Sequence, residues 1–190
     1  MKSFELKGEV RKDLGKKASK LVRKEGEVPC VLYGGDEIVH FNVTKEAIRK
    51  LIYTPEIFLV NLTIGGKVCN AILKDLQFHP VTDNLLHVDF YQVVADKPIV
   101  MEVPVTLEGL AEGVKSGGKL SLELRKLKVK GLYNYIPDKL NINVENLGLG
   151  KTIQVGDLSF DNLELISAKN NVVCSVKLTR AARGAATKGS

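Results

Sequence analysis

Tryptophan is absent from this 190-residue chain, and cysteine and histidine each occur only three times. Cys30, Cys69 and Cys174 stand far apart with no C-x-x-C spacing, which excludes a disulfide framework and a thiolate zinc site. A chain of this length buries roughly 70% of its unfolded surface on folding and needs neither staple. Isolated thiols fit a reducing cytoplasm. The N-terminus points the same way: it alternates Phe4, Leu6 and Val10 with Glu5, Lys7 and Glu9, unlike a signal peptide. No apolar run approaches the ~20 residues of a membrane span, so no membrane partner is expected. A phosphate-binding loop is also missing. Gly148-Leu149-Gly150-Lys151-Thr152 ends like one, but Glu145 occupies the position where the motif needs its first glycine. That segment reads as a turn. Ser19 and Ser121 lack the sharp strand-to-helix setting of a serine nucleophile. His79, His87 and Asp89 supply at most three ligands, and a metal-dependent enzyme built on them is kept as the alternative of a different class. No cofactor is expected.

Acid is scarce in one place. Between Arg11 and Lys24 the chain carries Arg11, Lys12, Lys16, Lys17, Lys20, Arg23 and Lys24 against Asp13 alone. That stretch holds the whole chain's net charge of +6, whereas from 25 to 176 acids outnumber bases 19 to 15. A second basic stretch, Arg180, Arg183 and Lys188, closes the chain without an acid. A negatively charged body with concentrated basic segments implies a polyanion at one surface. As a helix, Lys16–Lys24 gathers Arg23, Lys16, Lys20, Lys24 and Lys17 into an arc of about 120°. Ala18, Leu21 and Val22 occupy the opposite arc, which is expected to dock on a core. The basic face lacks acidic i+4 partners, so a merely solvated face explains it less well than nucleic acid does.

Residues 1–95 read as mainly β with α. Strands are expected at Phe4–Val10, Val28–Tyr33, Ile38–Val43, Ile57–Ile64, Lys67–Phe78 and Leu85–Val94, with hairpins across Gly34-Gly35 and Gly65-Gly66. One helix is the basic one; the other runs from Thr44, as its cap, through Tyr53. Six strands and two helices make a closed or nearly closed β domain with helical covers. Residues 96–179 read as an all-β second domain, a sandwich or barrel. Its segments are Ile99–Leu107, Leu120–Val129, Leu140–Val144, Ile153–Val155, Leu163–Ile166 and Val172–Leu178, none with helical periodicity. Residues 180–190 read as a basic flexible tail.

Three stretches carry a specific pattern. They are Arg11-Lys12-Asp13-Leu14-Gly15-Lys16-Lys17-Ala18-Ser19-Lys20 with Val22-Arg23 and Val28-Pro29 to Tyr33-Gly34-Gly35; Lys74-Asp75-Leu76-Gln77-Phe78-His79-Pro80; and His87-Val88-Asp89-Phe90. Together they resemble the family of bacterial large-subunit ribosomal proteins that bind 5S ribosomal RNA, in the longer two-domain form known as general stress protein Ctc. The resemblance continues through Gly113-Val114-Lys115-Ser116-Gly117-Gly118-Lys119-Leu120 and Ile136-Pro137. It implies a six-stranded β-barrel at residues 1–95 docked on 5S rRNA, in a non-catalytic, cytoplasmic, ribosome-associated protein that is a monomer in the ribosome. Other rRNA or ribosomal proteins are the partners it leaves open for the C-terminal domain. Arg11, Lys16, Ser19, Lys20, Arg23, Tyr33, Gln77, His79, His87 and Asp89 are the expected RNA-binding residues. Lys20 departs from the arginine common in the family, which replaces a bidentate fork by a point charge.

The chemistry of these residues suits duplex RNA, whose minor groove is wide and shallow and displays 2′-hydroxyls and base edges. Arg11, Lys16, Lys20 and Arg23 supply cations for phosphates, and Ser19 a hydroxyl for phosphate or ribose. Tyr33 offers a stiff ring with a polar tip. Gln77, His79, His87 and Asp89 offer donors and acceptors, although His87 with Asp89 also reads as a polar pair that only steadies a strand. A transfer-RNA-binding module is the nearer alternative.

Overall fold

The computed structural model describes residues 1–35 and 37–179; the tail expected at 180–190 lies outside the described residues. Two compact units are present: Met1–Ile99 with Leu132–Asn134, and Val100–Gly131 with the chain from Tyr135 onward.

In the first unit the elements are β1 (Lys2–Val10), α1 (Lys16–Lys24), β2 (Glu27–Tyr33), β3 (Val39–Thr44), α2 (Lys45–Tyr53), β4 (Phe58–Ile64), β5 (Lys67–Phe78) and β6 (Leu85–Gln92). The six strands close into a barrel in the order β1-β3-β2-β6-β5-β4. Closure comes from parallel pairing of β1 with β4, from Lys2 opposite Phe58 to Gly8 opposite Ile64. Full closure leaves the sheet no open edge. Alternation with period two turns Val28, Cys30 and Leu32 of β2, Val60 and Leu62 of β4, and Val88 and Phe90 of β6 into the barrel. Phe41 and Phe90 meet there with ring centroids 5.7 Å apart. α2 adds Ile48 and Leu51 to the same core. Thr44 stands at its N-cap position without a side-chain cap bond, contrary to expectation. The reason is that Thr44 still belongs to the β3 ladder opposite Glu27, and Gly26 O accepts the N–H of Lys45 instead.

One irregularity positions the site. The register of β5 against β6 shifts between Leu73 and Asp75, so Lys74 forms a β-bulge. Ahead of it the core takes Ala71 and Leu73; after it the core takes Leu76. The changed phase turns Asp75 and Gln77 outward, opposite Asp89 and His87 of β6.

The second unit is built from β7 (Ile99–Glu108), α3 (Glu112–Lys115), β8 (Lys119–Leu122), β9 (Lys126–Gly131), β10 (Leu140–Asn143), β11 (Thr152–Gln154), β12 (Glu164–Leu165) and β13 (Val172–Lys177). They form a four-stranded sheet, β10-β7-β9-β12, and a three-stranded sheet, β11-β13-β8. The segment expected as one strand, Leu120–Val129, is two strands in different sheets. The chain breaks where the N–H groups of Glu123 and Leu124 both turn to Val173 O. The one-turn helix α3 was not expected, because four residues are too few to show a period. Gly148–Thr152 is a turn, closed by Lys151 N–H to Gly148 O and running into β11. A P-loop would continue there as a helix.

Candidate nucleic-acid interface

The basic helix starts after Gly15, whose φ of +103° breaks the extended run from β1 at little steric cost. α1 lies against β2 and buries no residue fully. Its half-buried side consists of Ala18, Ser19, Val22 and Arg23, which span ~140° of the wheel. Leu21, expected among the docked residues, is 57% exposed, and Arg23, expected among the solvated ones, is half-buried. Two hydrogen bonds lie on this side of the helix beside the apolar contacts of Ala18 and Val22. Arg23 Nη1 donates to Leu86 O on β6 at 3.2 Å, and Arg11 Nη2 donates to Ser19 Oγ at 3.2 Å. Lys16, Lys17, Lys20 and Lys24 project freely into solvent.

Arg11 is half-buried and makes contacts within the fold. Its N–H donates to His40 O at 2.9 Å, and Nη2 also donates to Asp13 O at 3.2 Å. Half-buried, it braces the loop ahead of α1 and aims Ser19. Its Nε is buried with no acceptor among the described residues.

Beside the helix, the outer face of β6 presents His87, Asp89 and Tyr91 in alternation with the inward Val88 and Phe90. Gln77 and Asp75 of β5 stand opposite His87 and Asp89 on one flank. Val31 and Tyr33 of β2 stand beside Asp89 and Tyr91 on the other. His87 Nδ1 and Asp89 Oδ1 are 2.7 Å apart, with both side chains more than a quarter exposed. This contact engages Nδ1 and leaves Nε2 as the other polar atom of the ring. The Tyr33 phenol is pushed above its ordinary value by desolvation first, then by the charges of Asp89 and Asp75 and by Tyr91. It therefore remains a protonated hydroxyl, able to donate, throughout the neutral range. Tyr33 and Tyr91 meet edge to face, centroids 5.7 Å apart and planes at 81°.

His79 is placed differently. It opens the β5–β6 turn, and its Nδ1 accepts from the N–H groups of Val81 and Thr82, both at 3.3 Å. That acceptor is committed to the turn, leaving Nε2–H as its outward donor. The metal alternative finds no support in this geometry: His87 is bonded to Asp89, His79 serves the turn, and no three His, Cys, Asp or Glu among the described residues are grouped to hold an ion.

The fold thus brings Ser19, Lys16, Lys20 and Arg23 to one side of a strand row containing Tyr33, Gln77, His87 and Asp89. The Arg23–Leu86 bond joins the two parts. Two outward residues escaped the sequence reading. Tyr91 was legible, since alternation from His87 through Asp89 reaches it. Asp75 was not, because its side depends on the bulge. Two of the three lysines of β9 are ion-paired. Lys128 Nζ lies 3.6 Å from Glu102, and Lys130 Nζ lies 3.0 Å from Glu164. Lys177 Nζ likewise lies 2.6 Å from Glu123.

Comparison with known proteins gives a consistent picture. The Ribosomal L25p family model matches residues 6–90, and the model for the C-terminal domain of ribosomal protein TL5 matches residues 98–180. A Bacteroides thetaiotaomicron protein is 66% identical over 191 residues, covering 98% of this chain and 97% of its own. One from Bacteroides fragilis is 64% identical over 98% of this chain and 97% of its own. A Parabacteroides distasonis protein is 62% identical over the full length of both. All three relatives bear the name large ribosomal subunit protein bL25.

Proposed function

Since the chain belongs to the ribosomal L25p family, we propose that it is a non-catalytic, structural constituent of the large ribosomal subunit and that its barrel binds 5S rRNA. The observation that carries this reading is the joining of a cationic helix to an outward polar strand row by the Arg23–Leu86 bond. Neither part suffices alone: exposed lysines neutralise any polyanion, and a polar row without cations has little affinity. Lys16, Lys20 and Arg23 take phosphates flanking a minor groove. Ser19, held by Arg11, bonds a phosphate or ribose oxygen. Asp89 has no use as a phosphate ligand, and it accepts from a 2′-hydroxyl or a base amino group. Tyr33, Gln77 and the Nε2 atoms of His79 and His87 complete the readout. The second unit is left for other rRNA or ribosomal proteins.

The test is equilibrium binding of labelled 5S rRNA and of bulk transfer RNA across a salt series. With three to five cations engaged, log affinity for 5S rRNA falls with log salt at a slope of about −2 to −4.5. Transfer RNA competes only weakly. Equal affinity for both would make this a transfer-RNA module, and a slope near zero would remove α1 from the interface.

A further inference from the structure

We infer that Tyr91 is a positioning residue that fixes the ring of Tyr33 for contact with RNA, and that Gly34 is glycine because Tyr91 occupies the space over it. The inference rests on the proposed role of Tyr33 and adds a residue that the sequence pattern did not single out.

Tyr33 ends β2 and Tyr91 lies beside it in the parallel β2–β6 pairing, so both side chains leave the same face of the barrel. A half-exposed tyrosine at a strand end has several rotamers open to it, and choosing one on binding costs entropy. Here the choice is made in advance. The edge of one ring meets the face of the other at 5.7 Å and 81°, the arrangement that aromatic quadrupoles favour. Behind the pair, Gly34 has φ of +94°, and a Cβ there would stand 2.5 Å from the Tyr91 ring. The ring of Tyr91 thus lies directly over the backbone that follows Tyr33, and any side chain at 34 would expel it. Tyr91 also carries a hydroxyl, so direct contact with RNA is the competing role. The two roles differ in which part of the side chain matters. A positioning role needs only the ring; a contact role needs the oxygen.

Binding of full-length protein to 5S rRNA in a double-mutant cycle separates them. Tyr33→Ala is expected to weaken binding about tenfold, within the range for losing a ring contact with RNA. Tyr91→Ala alone weakens it about two- to tenfold, as loss of an aromatic pair should. The double variant is no weaker than about tenfold, because Tyr91 acts only through Tyr33. Tyr91→Phe stays within about twofold of the parent, since the ring is kept. Thermal melts of the four proteins check that each is folded. A double loss equal to the product of the single losses overturns the inference, as does a Tyr91→Phe loss matching that of Tyr91→Ala. If Tyr33→Ala binds like the parent, the inference falls together with the role of Tyr33. A retained loss in Lys16→Ala and Lys20→Ala would then leave the wider assignment standing.

Discussion

Arg23→Ala tests the join between helix and barrel, and its effect divides into two measurable parts. The guanidinium donates one hydrogen bond, to Leu86 O at 3.2 Å, from a half-buried position at the edge of the barrel. Removing a bond of this kind costs about 0.5–1.5 kcal/mol of stability, and water reaches the freed carbonyl. The melting temperature of a chain this size should drop by only a few degrees. Losing the phosphate contact costs about 1.5–3 kcal/mol, a tenfold or greater loss of affinity. One fewer neutralised phosphate makes the salt slope shallower by about 0.7–0.9. Fluorescence anisotropy with labelled 5S rRNA at four or more salt concentrations reads affinity and salt slope, and a thermal melt reads the loss of stability. Arg23→Lys retains the point charge and should keep the salt slope while losing the link to β6. A folded Arg23→Ala protein with parental affinity and parental slope would refute the placement of Arg23 in the interface.

Two further outcomes follow from the packing. Gly113→Ala places a methyl group 2.6 Å from the backbone C of Gly148 and N of Leu149, atoms that cannot swing aside. It should destabilise the second unit by about 1–3 kcal/mol in urea denaturation while 5S rRNA affinity stays within twofold; an unchanged midpoint would contradict the close backbone approach. Burial pushes the Cys30 thiol far above its ordinary value of 9.0, with the charge of Asp89 adding to the effect and that of Arg11 opposing it. The unfolded chain therefore loses this proton first as pH rises. Stability due to the neutral thiol is complete below pH 9 and falls by about 1.4 kcal/mol per pH unit above it. Denaturation from pH 8 to 10.5 should show this decline, and Cys30→Ala should make it shallower, the remainder coming from Cys69 and Cys174, whose thiols burial also raises; an equally steep decline in the variant would assign the loss to other groups.

Much of the barrel could be read along the chain because apolar and polar residues alternate along stretches of its strands, as in β4. The boundaries of α1 and β5 are those expected, and both hairpins turn at their Gly-Gly pairs. The basic stretch was equally plain, since seven cations against one acid is a property of composition. What the cations do was not. Arg11 and Arg23 look alike in a sequence, yet one braces Ser19 and the other reaches Leu86, 63 residues away. Leu21 reads as a docked residue on a helical wheel, yet it is exposed, and the docked side takes in Ser19 and Arg23 with their hydrogen bonds.

The sequence alone determined the closed β unit, the β-rich second unit and the helix that concentrates positive charge. Each depends on periodicity or composition within a short window, where neighbouring residues constrain one another directly. Only the tertiary structure decided which polar groups face outward together. The bulge at Lys74 sets the side on which Asp75 and Gln77 emerge, and pairing across β2, β6 and β5 sets Tyr33 against Tyr91 and Gln77 against His87. These relations join atoms distant along the chain, and hydrogen bonding between strands fixes them only when the barrel closes.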